Sequence, residues 1–184
     1  MPPAALHTPR LDLHAVLPHE YELLAVDRSD DRLWRDRGFT NPHRHLVDDP
    51  GPLPHRIPRI RANPEQGPYL LRLAVLREQG CIIGSAGFHD LPDGAGMIEI
   101  GYGIEPEFRN AGFGRELLHG MWAWVIDQPG VRTLRYTVSV DNAVSQHIAR
   151  SLGFTHMGVQ IDDEDGPEDV FECEVADYRR RFGG

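Results

Sequence analysis

Residues 109–114 read Arg-Asn-Ala-Gly-Phe-Gly and stand where the hydrophobic repeat of the chain changes from two to about 3.6. Before them, across residues 97–104, Ile98, Ile100, Tyr102 and Ile104 alternate with Glu99, Gly101 and Gly103, the pattern of a strand. After them Phe113, Leu117, Leu118, Met121, Trp122 and Val125 recur on one face of a helix that Pro129-Gly130 ends. A strand that passes into a helix through such a loop aims several unpaired N–H groups at whatever lies beyond the positive end of the helix dipole. Phosphate binds well there. Gly112 and Gly114 remove Cβ atoms that would hold a diphosphate away, and Arg109 adds a charged contact. Two glycines do not choose a ligand, and a tight turn with no ligand explains them equally well. The dinucleotide spacing is not completed, because Leu117 occupies the third glycine position, and no Gly-Lys-Ser/Thr follows for a nucleoside triphosphate.

The flanking sequence predicts a mixed α/β fold. Residues 8–13 alternate as an opening strand, and Pro18 begins a short helix. Residues 38–68 carry Pro42, Pro50, Pro52, Pro54, Pro58 and Pro64 and read as an irregular excursion, with a short helix near 54–62, placed to cover a substrate mouth. Residues 69–77 and 80–89 form a hairpin. Leu134, Tyr136, Val138 and Val140 mark another strand, and Asp141-Asn142 caps a helix whose apolar stripe is Val144, Ile148 and Leu152. Gly153 suits the left-handed end of that helix, closed by Phe154. Two further strands, 156–161 and 169–175, flank an acidic turn at 162–167. The sum is about seven strands in one domain over residues 1–184.

Composition narrows the partners. A formal charge of −9 argues against nucleic acid, whose phosphates demand clustered Lys and Arg, and mildly favours a cationic acceptor. Cys81 and Cys173 sit in separate apolar runs and give neither a disulfide framework nor metal spacing. His43 and His45 could be imagined as a metal pair, but no third ligand has convincing spacing, so a solvated loop and no metal are expected. No apolar run reaches the roughly 20 residues of a membrane span. The N-terminus shows no charged segment leading into an apolar one, so no membrane partner and a cytoplasmic location are expected.

With Arg109-Asn110-Ala111-Gly112-Phe113-Gly114 the chain resembles the GNAT superfamily of N-acetyltransferases, whose signature is Arg/Gln-x-x-Gly-x-Gly/Ala after a central strand. It is similar to the ribosomal-protein N-acetyltransferase-like branch, the RimJ/RimL type. Thr8-Pro9-Arg10-Leu11, Glu99-Ile100-Gly101-Tyr102, Asp141-Asn142-Ala143-Val144-Ser145 and Leu152-Gly153-Phe154 carry that likeness. The resemblance implies the GNAT-type acyl-CoA N-acyltransferase fold: a mixed, mostly antiparallel sheet flanked by helices and splayed between the strands ending near Ile104 and Val140. Acetyl-CoA would lie in the opening, its diphosphate on residues 109–114 and its pantetheine on the backbone of Tyr102, Gly103 and Ile104. Asn142 would cap its helix, touch the pantetheine, or do both.

Acyl transfer to an amine needs a base, an oxyanion site and a donor for the departing thiolate. By the resemblance Glu99 is the base, alone or through a water; on the residues alone it is equally a strand carboxylate paired with an arginine or open to solvent. Backbone N–H of Ile104 is the candidate oxyanion donor. The tyrosine that many members use to protonate the thiolate is replaced by Ala149, and Ser145 inherits that role, against the simpler reading of a serine bonded locally in a first helical turn. The expected activity is acetyl transfer to a primary amine, foremost a protein N-terminus. Alternatives are a small amine, another acyl group such as succinyl, or an acyl-CoA sensor without transfer. A homodimer is in keeping with the family and with the apolar terminal strands.

Overall fold

The computed structural model describes residues 4–163 and 166–183. Its strands are β1 (Leu6–His7), β2 (Leu11–Ala15), β3 (Arg72–Leu76), β4 (Cys81–Phe88), β5 (Met97–Ile104), β6 (Thr133–Ser139), β7 (Thr155–Asp162) and β8 (Gly166–Glu174). The helices are α1 (Pro18–Val26), α2 (Arg32–Arg35), α3 (Leu53–Ala62), α4 (Gly67–Leu70), α5 (Phe113–Val125), α6 (Ala143–Ser151) and α7 (Val175–Phe182). The strands follow the order β1-β2-β3-β4-β5-β6-β8-β7, eight where about seven are expected, and β5–β6 is a parallel pair in a mostly antiparallel sheet. The contacts group into two compact units, Met1–Gly87 with Tyr102–Gly120, and Phe88–Gly101 with Met121–Gly184.

In the first unit the additional strand is β1. The expected single strand over 8–13 is a hairpin, because Pro9 cannot donate to a ladder and Thr8 closes a turn instead. The Thr8 and Leu11 main chains bond at 2.9 Å, and Leu11 N–H also reaches Thr8 Oγ1 at 3.1 Å. Antiparallel β2, β3 and β4 pack Leu73, Val75 and Ile82 against Tyr21 and Leu24 of α1 and Leu53 and Ile60 of α3. The proline-rich excursion supplies α3 as expected, with Pro54 in its first turn, where a missing N–H costs nothing. Glu20, 2% exposed, accepts the Leu17 N–H at 2.7 Å and pairs with Arg37 at 2.9 Å, which holds the start of α1. Backbones come close where β4 meets the end of β5. A Cβ on Gly84 would collide with the Gly103 carbonyl oxygen and lie 3.1 Å from Ile104 Cα.

In the second unit β5 and β6 pair only from Met97↔Thr133 to Ile100↔Tyr136, although β5 runs on to Ile104 and β6 to Ser139. Strands β6, β8 and β7 continue antiparallel. Trp122 lies 5.5 Å from Phe88 and 5.4 Å from Phe154, ring to ring, a core residue as its place in the α5 stripe suggests. The buried face of α6 differs in part from expectation: Leu152 is buried as expected, but Val144 is 59% exposed, and Ser145 and Ala149 turn inward with Leu152. Their spacing of four and three keeps one helical face, and the small Ser and Ala let the helix seat closely. Gly153, at φ 87, ends α6 with paired bonds from its own N–H to Arg150 O and from Phe154 N–H to Ala149 O, as expected of a left-handed cap. The triple arginine near the C-terminus lies on α7, where Arg179 bonds Asp127 at 2.8 Å. Of the acidic turn, Glu164 and Asp165 lie outside the described residues.

Candidate active site

The loop 109–114 leaves a short 3-10 turn after β5 and enters the 13-residue α5. Asn110 adopts φ 62 and Gly112 φ 82, two left-handed residues flanking Ala111. Asparagine adopts that conformation more readily than most side-chain-bearing residues, which suits Asn110 to the turn. Asn110, Ala111 and Gly112 are exposed, with the dipole of α5 behind them. Arg109 Nε donates to Ile104 O at 2.8 Å and fastens the loop to the strand end. Gly114 also has another reason. A Cβ there would sit 2.8 Å from Tyr102 Cε2, so the glycine makes room for the Tyr102 ring. Phe113 is buried at the head of the α5 stripe.

On β5, Ile104 is buried and Gly103 is exposed, with nothing within 4 Å of where a Cβ would stand. Glu99 is half-buried on the polar face of β5. Thr137, one strand over on β6, donates its hydroxyl to Glu99 Oε1 at 2.5 Å, and His89 Nδ1 lies 3.8 Å from the same oxygen. Arg135 is the direct cross-strand neighbour of Glu99, yet its guanidinium pairs with Glu172 at 2.6 Å. Among the described residues Glu99 therefore has no arginine partner, which removes the simplest structural reason for a carboxylate at this position. A carboxylate held by one hydroxyl keeps lone pairs with which to accept a proton.

At the head of α6, Asn142 is exposed and its side chain accepts the Ser145 N–H at 3.0 Å, an N-cap. Ser145 is 6% exposed, one turn before the fully buried Ala149 on the same face. The helix thus presents a hydroxyl at 145 and only a methyl at 149.

One cluster was not legible. His45 is neither solvated nor half of a metal pair. Its Nδ1 lies 2.5 Å from Glu105 Oε1 and its Nε2 2.8 Å from Ser85 Oγ, with the His45 side chain 9% exposed. His43 pairs with Glu107 at 2.6 Å. No group of three metal-binding side chains occurs among the described residues. Burial depresses the His45 pKa below its ordinary 6.5, against the opposing pull of Glu105, so the neutral ring donates from Nδ1 and accepts the Ser85 hydroxyl at Nε2. His45→Ala is expected to cost about 1–3 kcal/mol in urea unfolding, because Ser85 and Glu105 lose a partner in a buried setting. The depressed pKa also fixes the pH sign. Below 6.5 the unfolded chain binds the proton more readily, so the His45 contribution is whole above 6.5 and falls away as pH drops through its folded pKa. The same titration in His45→Ala should lack that part of the slope.

A family model described as an acetyltransferase (GNAT) domain matches residues 10–155. The uncharacterized N-acetyltransferase YoaA of Bacillus subtilis (strain 168) is 32% identical over 78 residues, 42% of this chain, and the matched segment spans 44% of that protein. RimL, a ribosomal alpha-N-protein acetyltransferase solved in complex with coenzyme A, superposes with a TM-score of 0.64 at 16% identity, covering 92% of this chain and 97% of its own. Mutant forms of the spermidine/spermine N-acetyltransferase SpeG from Vibrio cholerae give 0.65 at 13%, covering 94% and 98%. No helix among the described residues is long and apolar enough to cross a membrane.

Proposed function

Because the chain belongs to the GNAT acetyltransferase domain family, we propose that it moves the acetyl group of acetyl-CoA to a primary amine, and that this amine is a protein N-terminus. The observation that carries the donor is the exposed loop with left-handed Asn110 and Gly112 at the head of α5, whose backbone suits a diphosphate. The end of the β5–β6 ladder at Ile100 supports the assignment of pantetheine to the backbone of Tyr102, Gly103 and Ile104. The likeness to RimL supports an N-terminal acceptor, and the charge of −9 suits a cationic one.

In this reading Glu99 takes the amine proton, directly or through a water, and the nitrogen attacks the thioester carbonyl. The developing oxyanion meets the Ile104 N–H. Collapse of the tetrahedral intermediate breaks the C–S bond, and the Ser145 hydroxyl stabilises the leaving thiolate in place of the phenol that Ala149 lacks. Asn142 holds the head of α6 and borders the pantetheine.

Thiol release from acetyl-CoA should require an amine, and mass spectrometry of a peptide and amine library offered several acyl-CoA donors should find N-terminally acetylated peptides. Turnover on polyamines alone would move the acceptor to that class. Tight acetyl-CoA binding without thiol release over the whole library would favour a sensor. The chain is also proposed to form a homodimer through β7, which ends the strand order and exposes Met157, Val159 and Ile161 at 59%, 58% and 75%. Light scattering should give twice the chain mass, reduced to one chain in Ile161→Asp.

A further inference from the structure

We propose that Arg10 is a second-sphere anchor turned ligand: a cation of the β1–β2 turn that holds the 109–114 loop and donates to the diphosphate bound there. The inference rests on the acyl-CoA reading of that loop. Arg10 backbone N–H and Nε each bond one oxygen of Glu116, in the first turn of α5, at 2.7 Å, and Thr8 Oγ1 adds a bond to the same carboxylate at 2.6 Å. Arg10 Nη1 donates to Ala111 O at 3.0 Å, and the guanidinium lies 4.0 Å from the centre of the Phe113 ring. Its Nη2 is 3.5 Å from where a Gly112 Cβ would stand. A side chain 44% exposed is thus held by three contacts, to Glu116, Ala111 and Phe113, more order than an exposed arginine ordinarily keeps.

Two physical consequences join here. Glu116 places a negative charge one turn inside a helix end that has to attract phosphate, and Arg10 neutralises it. Of the five guanidinium N–H groups, Nε–H and one on Nη1 are engaged, and Nη2 lies beside the exposed Gly112. A planar fork suits phosphate oxygens in a way that a lysine would not. The signal in sequence is Arg10 within Thr8-Pro9-Arg10-Leu11, but its partners at 111 and 116 are about a hundred residues away.

The test compares calorimetric binding of coenzyme A, dephospho-coenzyme A and pantetheine to the full chain, to Arg10→Gln and to the double variant Arg10→Gln with Glu116→Gln. Glutamine keeps a donor for Glu116, and a melting curve checks that each variant folds. Arg10→Gln should weaken coenzyme A and dephospho-coenzyme A alike by about ten- to a hundredfold, as for a lost charge-assisted bond, and leave pantetheine unchanged. The double variant should stay weak. Equal loss for pantetheine would make Arg10 a merely structural brace, recovery in the double variant would reduce it to a shield for Glu116, and a loss confined to coenzyme A would move the contact to the 3′-phosphate; each overturns the proposal. Failure of the unsubstituted chain to bind coenzyme A would instead remove the reading of the loop itself.

Discussion

Glu99→Gln is expected to lower kcat by about 10²–10⁴-fold with little change in KM for acetyl-CoA, the range for loss of a general base. Glutamine fills the same volume and still accepts the Thr137 hydroxyl, so the β5–β6 contact survives and the melting curve should barely move. What disappears is the proton acceptor. Raising pH should recover part of the rate by deprotonating the amine in solution. Ser145→Ala should lower kcat less, by about tenfold, since a hydroxyl stabilises a thiolate without being a strong acid. Full activity in both variants would remove these two residues from the chemistry.

Gly84→Ala is expected to disturb the fold strongly for its size. The added methyl meets backbone on both sides, the Gly103 carbonyl and Ile104 Cα, and backbone cannot swing away as a side-chain tip can. A cost of about 3 kcal/mol follows from overpacking of this kind. For a chain of this length that corresponds to a fall of roughly 6–12 °C in melting temperature. Because the displaced atoms belong to the stretch assigned to pantetheine, the surviving folded protein should also bind acetyl-CoA more weakly. Gly38→Ala provides a contrast, as nothing lies within 4 Å of its Cβ position and only its positive φ of 83 opposes the change.

Much of this was readable in the chain because burial repeats at the period of the element. Every member of the α5 stripe, from Phe113 to Val125, is at most 8% exposed. The β3–β4 hairpin, α3 and the cap at Gly153 follow from turn and cap chemistry that acts over a few residues. What escaped depends on distance or on small side chains. The apolar spacing of α6 points to Val144, Ile148 and Leu152, whereas a serine and an alanine share the buried face with Leu152. Strand β1 has two residues, too few to show a period. His45, Ser85 and Glu105 lie on three separate elements, and no local pattern brings a histidine to a carboxylate 60 residues on. At the candidate site the strand-to-helix loop was legible; the tie from Arg109 to Ile104 and the room that Gly114 leaves for Tyr102 were not.

The left-handed turns at Asn110 and Gly112, with the bond from Arg109 to Ile104, mean that the loop takes its shape when the protein folds. The entropy of arranging those backbone donors is then spent once per molecule and not at each encounter with a nucleotide. An acyl-CoA would then meet backbone donors already arranged, so association should show a single kinetic phase with no slow isomerisation behind it. Affinity would be adjusted almost wholly through the departure rate. In the proposed transferase, which would shed coenzyme A after every transfer, that arrangement leaves product escape governed by a handful of contacts instead of by a loop that has to melt.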